Sequence, residues 1–255
     1  KFNNSLYLRL LMRVSGRNEM NVSAKMKEII NNPSTYPIFT SNADNATVEF
    51  SGSDPYRSQF SDTNEGNFTS SGRKLTEQLI SMTVIKDGNG QETFVDPRLP
   101  IIGKKNPNLS VNPNNLWKGT VSGVPEQEQS DADRGSSWLN TAVLARVDAP
   151  GSFMDYAEVQ FILAEASLRG LISGGDSAAK DYYENGVTAS VQKWAEHGQY
   201  SEIPVTVESS DIGALLESDL ASWDKATNKY ELIGNQKYLA LFWIGMEAYH
   251  EYRRT

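Results

Sequence analysis

The stretch that most limits what this chain can fold into is Asn235–Thr255, NQKYLALFWIGMEAYHEYRRT. From Tyr238 to Met246 it is nearly all apolar, broken only by Gly245. A bilayer span takes about 20 apolar residues, so this run is too short to cross one. Tyr238, Leu241, Phe242, Gly245, Tyr249 and Tyr252 recur at helical spacing along one stripe. Leu239, Trp243 and Met246 form a second stripe, so a helix here needs neighbours on two sides. The spacing predicts one continuous helix, with Gly245 as a point of close approach for another. Glu247, Glu251, Arg253 and Arg254 gather at its far end, where arginines suit the negative end of the helix dipole.

Other helices follow from the same periodicity. The opening KFNNSLYLRLLMRVSG reads as a helix already in progress, with Leu6, Leu8, Leu10, Leu11, Met12 and Val14 nearly all round it. Ser23 to Ile30 is a short second helix, ended by Asn31, Asn32 and Pro33. Thr76 to Lys86 is a third, capped by Thr76, and DGNG after it is a strong turn signal. The clearest helix opens at Ser152, with Ser152 and Asp155 as a near capping box and Gly170 as its stop. Its buried stripe is Ala157, Phe161, Ala164 and Leu168. Ser177 to Glu196 is its partner, apolar along Ala179, Tyr183, Val187, Val191 and Trp194, with Gly186 permitting close approach. The pair looks like one tetratricopeptide unit, although the 34-residue period of such repeats is not well kept. Ile212 to Leu220 is a weaker helix.

Between the helices lie long polar stretches. Residues 33–74 are turn-rich yet too aromatic for a disordered linker, so an ordered loop layer is expected. Tyr56 and Arg57 are either ligand contacts there or anchors of the loop, anchoring being the commoner role. Residues 103–150 carry almost no period but hold Trp117 and Trp138. A flat indole stacks on the apolar face of a sugar while polar neighbours reach the hydroxyls. Asn115, Asp133 and Arg134 are the polar partners expected for such a groove. The alternative is that each tryptophan pins its loop to the core. Asp131 and Asp133 hint at a cation site, but the calcium-loop spacing is not met. Asp96 and Arg98 suit a tethering ion pair. Glu158 and Glu165 lie on one helix face without a histidine or third carboxylate at ligand spacing, which favours salt bridges within a bundle.

Composition narrows the chemistry. The net charge of -8 argues against nucleic acid, whose usual footprint is a basic patch. With no cysteine, disulfides and thiolate metal sites are excluded. The two histidines, His197 and His250, stand apart. No nucleophile elbow, H-E-x-x-H, P-loop or dinucleotide fingerprint occurs, which favours binding over catalysis. No cofactor is implied. A glycosidase's carboxylate pair cannot be read from spacing.

Four segments together resemble the SusD/RagB family of surface nutrient-binding lipoproteins. They are Gln236–Thr255, the Lys1–Arg13 helix with its Lys-Phe-x-Asn-Ser-Leu-x-Leu-Arg-Leu run, Asp96–Leu99, and Ser152–Gly170. Tyr249 stands where a tryptophan is commoner in that family. The resemblance implies a mainly α fold, with tetratricopeptide-like helix pairs and long irregular loops. It implies that residues 1–255 are the C-terminal portion of one SusD-like domain whose N-terminal portion lies outside this chain. It further implies a lipoprotein on the outer face of a Bacteroidetes-type outer membrane, tethered by an N-terminal lipid not in this chain. There it would be the lid of a SusC-like TonB-dependent transporter, capturing oligosaccharide or oligopeptide cargo. Two rivals are a glycoside hydrolase and a helical protein-interaction scaffold.

Overall fold

Helix dominates the computed structural model, which describes residues 1–58, 60, 61, 74–105 and 116–255. In chain order the helices are α1 (Phe2–Arg13), α2 (Val22–Asn31), α3 (Glu77–Ser81), α4 (Leu99–Ile102), α5 (Glu126–Asp133) and α6 (Thr141–Leu144). They continue as α7 (Tyr156–Leu168), α8 (Gly175–His197), α9 (Ser209–Glu217), α10 (Lys229–Ala240) and α11 (Glu247–Arg254). The strands pair antiparallel, β1 (Ala46–Val48) with β6 (Gly151–Met154), β2 (Val84–Lys86) with β3 (Glu92–Val95), and β4 (Gly103–Lys104) with β5 (Trp138–Leu139). Contacts gather into two units. One comprises Lys1–Val48, Gly151–Ser190 and Trp223–Thr255, and the other Glu49–Pro150 and Val191–Ser222.

In the first unit, α1, α2 and α7 share one apolar core. Leu8, Leu11 and Met12 meet Met26 and Ile29, and both sets pack with Val159, Ile162, Leu163 and Ala166. Helix α7 is buried all round from Ala157 to Ser167, so the single stripe expected from sequence is too narrow. Its start also differs from expectation. Ser152 is not a cap but lies in β6 opposite Thr47, and the extended residue Asp155 precedes the helix. The strand pairing claims Ser152, and the Tyr156 amide donates to Asn45 Oδ1 at 2.7 Å instead. Gly170, at φ 70, ends α7 as expected. In the part of α8 that belongs to this unit, Ala179, Tyr183 and Val187 are fully buried. A Cβ on Gly186 would lie 3.0 Å from the Phe161 ring, so the glycine lets α7 and α8 approach closely there.

The C-terminal segment is not one helix. Helix α10 ends at Ala240, residues 241–246 turn, and α11 begins at Glu247. Trp243 (φ 69) and Gly245 (φ 47) both adopt left-handed backbone. A straight helix would carry two apolar stripes outward in different directions. The turn instead drops Leu241 and Ile244 into the core and leaves Tyr238, Met246, Tyr249 and Tyr252 exposed. A Cβ on Gly245 would meet nothing within 4 Å, so this glycine serves backbone conformation and not close packing.

Charged residues inside this unit find partners. Arg9 forks onto Glu158, with Nε 2.6 Å from Oε1, and donates to the Phe153 carbonyl at 2.9 Å. Glu165 accepts from Arg169 at 3.0 Å. Both glutamates thus make salt bridges between or along helices, as their spacing predicts.

In the second unit, Thr76 caps α3 by accepting from the Leu79 amide at 3.2 Å. The helix stops at Ser81, short of Lys86, because Val84 and Ile85 enter the β2–β3 hairpin. At its turn the Asp87 carboxylate accepts from the amides of Asn89 and Gln91, both at 2.9 Å. Asp96 and Arg98 form a buried fork, with N···O distances of 3.0 and 2.6 Å. Helix α9 starts at Ser209, earlier than Ile212, because Glu208 and Asp211 form a capping box.

Candidate functional site

The expected site residues that the structure describes fall in the second unit, where three short segments are laced together by backbone hydrogen bonds. The Leu75 amide donates to Ser137, the Ser137 amide to Lys118, and the Thr120 amide to Leu75. This lacing carries both tryptophans and fixes what each can touch.

Trp117 is an anchor. It is 1% exposed. Its amide donates to Glu92 Oε1 at 2.6 Å, and its carbonyl accepts from Lys86 Nζ at 2.9 Å. The indole packs where a Cβ on Gly103 would come within 3.3 Å of it. A ring enclosed this way offers no face to a ligand, so the expected role of Trp117 in an open groove is corrected to loop anchoring.

Trp138 is half-buried in β5, opposite Lys104 on one side and bridged to Lys74 on the other. The Lys74 ammonium sits 4.7 Å from the centroid of its ring, a cation–π contact. Burial draws the Lys74 pKa below the ordinary lysine value, and the charge of Asp133 works against that shift. One face of the indole is therefore already engaged.

Asp133 is half-buried, and its Oδ1 accepts from Thr120 Oγ1 at 2.7 Å and from Gln129 Nε2 at 2.9 Å. Arg134 is exposed and pairs with Asp131 at 2.7 Å, while its carbonyl accepts from Lys118 Nζ. Asp131 and Asp133 thus turn to separate partners. Among the described residues, no three His, Asp or Glu side chains converge as a metal site would require. Asn115 lies outside the described residues.

Tyr56 is the open ring of the set, 67% exposed. It ends a tight turn in which its amide donates to the Ser53 carbonyl at 2.7 Å. Both flanks of that turn rest on one residue. The Ser58 amide donates to the Val147 carbonyl at 2.9 Å, and Gly52, at φ 73, approaches the Val147 side chain so closely that a Cβ would lie 3.2 Å away. Asp54 and Arg57 pair at 3.1 Å on the same turn, placing an acceptor and a donor group on the segment that presents the ring. An exposed aromatic with hydrogen-bonding groups nearby, held by a rigid base, suits an apolar sugar face edged by hydroxyls.

The neighbouring segment carries no sequence motif. Arg146 precedes Val147, and its guanidinium carbon lies 3.3 Å from the centroid of the half-exposed Tyr200 ring. Arg146 also donates to Asp148 at 2.9 Å, which holds that carboxyl below its ordinary pKa despite the opposing effect of burial. Arg146 and Tyr200 are far apart in the chain, and no local pattern links them.

The first unit has an open groove of about 530 Å³, lined by Ser15, Arg17, Asn21, Ser23, Lys27 and Leu171 among others. No aromatic residue lines it among the described residues.

The helix pairs with loop-borne aromatics define a class of protein. A SusD-like family model, described as "Starch-binding associating with outer membrane", matches residues 1–255, and the chain belongs to that family. Its fold is accordingly mainly α, of tetratricopeptide-like helix pairs carrying long irregular loops. A SusD homologue from Bacteroides fragilis is 23% identical with a TM-score of 0.77, over 100% of this chain and 54% of that one. A protein from Bacteroides vulgatus is 25% identical with a TM-score of 0.80, over 100% of this chain and 55% of that one. A chitin-binding protein is 22% identical with a TM-score of 0.65, over 99% of this chain and 51% of that one. The chain spans about half the length of these structures. No match was found among curated proteins.

Proposed function

We propose that this protein binds oligosaccharide through the loops of its second unit, with the Tyr56 ring as the stacking surface. Asp54 and Arg57 reach the sugar hydroxyls, and Trp138 and Arg134 supply further contacts. The bound glycan is delivered to a SusC-like TonB-dependent transporter, on which the protein acts as lid subunit at the extracellular face of the outer membrane. The role is capture and not turnover. One observation carries the reading: an open aromatic ring on a turn clamped at both flanks, in a member of a family described as starch-binding. The transporter role rests on the family alone.

Isothermal titration with maltooligosaccharides, chitooligosaccharides and oligopeptides tests it. Tyr56→Ala should weaken glycan binding at least ten-fold, about 1.4 kcal/mol, with helical circular dichroism unchanged. Wild-type affinity in Tyr56→Ala would retire the site. Tight binding of peptides but not glycans would reassign the cargo, and release of shorter glycans would mark a hydrolase.

A further inference from the structure

A second open ring shares its support with the Tyr56 turn. Tyr200 is 40% exposed. The Arg146 guanidinium backs one face of its ring at 3.3 Å, and the His197 ring flanks it at 6.5 Å, tilted by 36°. The exposed area of Tyr200 therefore lies away from Arg146. Its loop is firmly built. The Ser201 and Val205 amides both donate to the Gly198 carbonyl, at 3.2 and 3.1 Å. A Cβ on Gly198 would lie 2.1 Å from the Val205 carbonyl oxygen, so this close approach requires glycine. Asn140 then pins the loop, with Nδ2 donating to Ser201 Oγ and to the Ile101 carbonyl, both at 3.0 Å.

Arg146 is held under this ring against its own hydrogen-bonding needs. Its Nη1 is buried and finds no partner among the described residues. Buried polar groups are nearly always paired, and an exception marks strain or function. What Arg146 does make is the stack on Tyr200 and the pair with Asp148. The next residue, Val147, carries both flanks of the Tyr56 turn. Tyr56 lies two residues from Ser58, whose amide meets Val147, and two residues of chain span at most about 7 Å. Residues 146–148 thus back one open ring and seat the turn that bears the other.

We propose that Tyr200 is a second stacking position, so that the site takes several linked sugar rings together and discriminates by chain length. The inference rests on the reading of Tyr56 as a glycan-stacking ring. Tyr56, with Asp54 and Arg57 beside it, is the primary position. A short glycan fills that position and leaves Tyr200 bare, whereas a longer chain of the same sugar covers both. The second contact adds affinity because the first has already brought the chain to it. Val147, which joins the two supports, is itself exposed and adds apolar surface.

Isothermal titration with maltooligosaccharides and chitooligosaccharides, from disaccharide to heptasaccharide, tests the second position. In the wild-type protein the heptasaccharide of the preferred series should bind at least ten-fold more tightly than the disaccharide. Tyr200→Ala should remove that gain and leave disaccharide affinity unchanged, while Tyr200→Phe should keep the gain. Tyr200→Leu retains apolar cover over Arg146 without a flat face, and should behave as Tyr200→Ala does. Tyr56→Ala should weaken binding at every length. If it does so while Tyr200→Ala and Tyr200→Leu keep the full gain, or lose equally at every length, the second position is overturned and the Tyr56 reading stands. If the wild type binds neither series, or Tyr56→Ala changes nothing, both fall together.

Discussion

Glu158→Ala should destabilise the fold by about 3–5 kcal/mol, read as a lower urea midpoint at unchanged slope. Glu158 and Arg9 are both buried between α1 and α7. Truncating the glutamate leaves a buried guanidinium that cannot shed its proton, with only the Phe153 carbonyl and the more distant Glu247, 3.6 Å away, as partners. Burial pulls the Arg9 pKa down, but the hydrogen bond and charge of Glu158 more than offset this and hold it above the ordinary arginine value. The reciprocal variant, Arg9→Met, should cost less. Burial already pushes the Glu158 carboxyl up against the pull of Arg9, so an unpaired Glu158 takes a proton and sheds its charge. Combining Arg9→Met with Glu158→Leu should recover most of the loss, since apolar residues of similar volume often match a buried pair. A double variant as unstable as Glu158→Ala would mean that the site demands the charges themselves.

Gly119→Val should destabilise comparably, by roughly 3 kcal/mol or more, through overpacking against backbone. A Cβ on Gly119 would lie 2.2 Å from the Glu77 nitrogen and 2.3 Å from its Cα. That backbone cannot step aside. The Glu77 amide donates to the Thr120 carbonyl at 3.0 Å, and the Thr120 amide donates to Leu75 at 2.8 Å. The expected drop in Tm is roughly 6–12 °C for a chain of this size. Gly88→Ala, where a Cβ meets nothing within 4 Å, is the control and should leave Tm nearly unchanged. A Gly119→Val protein melting with the control would show that the crossing of residues 75–77 with 119–120 is loose.

The helical frame was legible because its signal is local. The apolar spacing of α1, α2 and α8 recurs within each helix, and Thr76 and Gly170 mark ends by their own chemistry. The break at residues 241–246 was not legible. Trp243 has no intrinsic taste for left-handed backbone, and the turn it makes buries Leu241 and Ile244. The strand at Ser152 was missed for a related reason, because its partner β1 lies over a hundred residues away, at Ala46–Val48.

The site was half legible. Residue type marks an aromatic as a candidate, but exposure is set by distant partners. Lys86 and Glu92 hold the Trp117 backbone and Gly103 leaves room beside its ring, and none of them is near it in sequence. The Tyr56 ring is open, on a turn whose flanks rest on Val147 about ninety residues away. Residue type alone does not show that Asp133 accepts from Thr120 and Gln129, or that Arg134 pairs with Asp131.

The most direct measurement is a crystal structure of the protein soaked with a maltooligosaccharide or chitooligosaccharide. A sugar ring should stack on Tyr56, with hydroxyls in reach of Asp54 and Arg57. Sugar density elsewhere on the molecule with Tyr56 bare, at concentrations that saturate binding in solution, would contradict it.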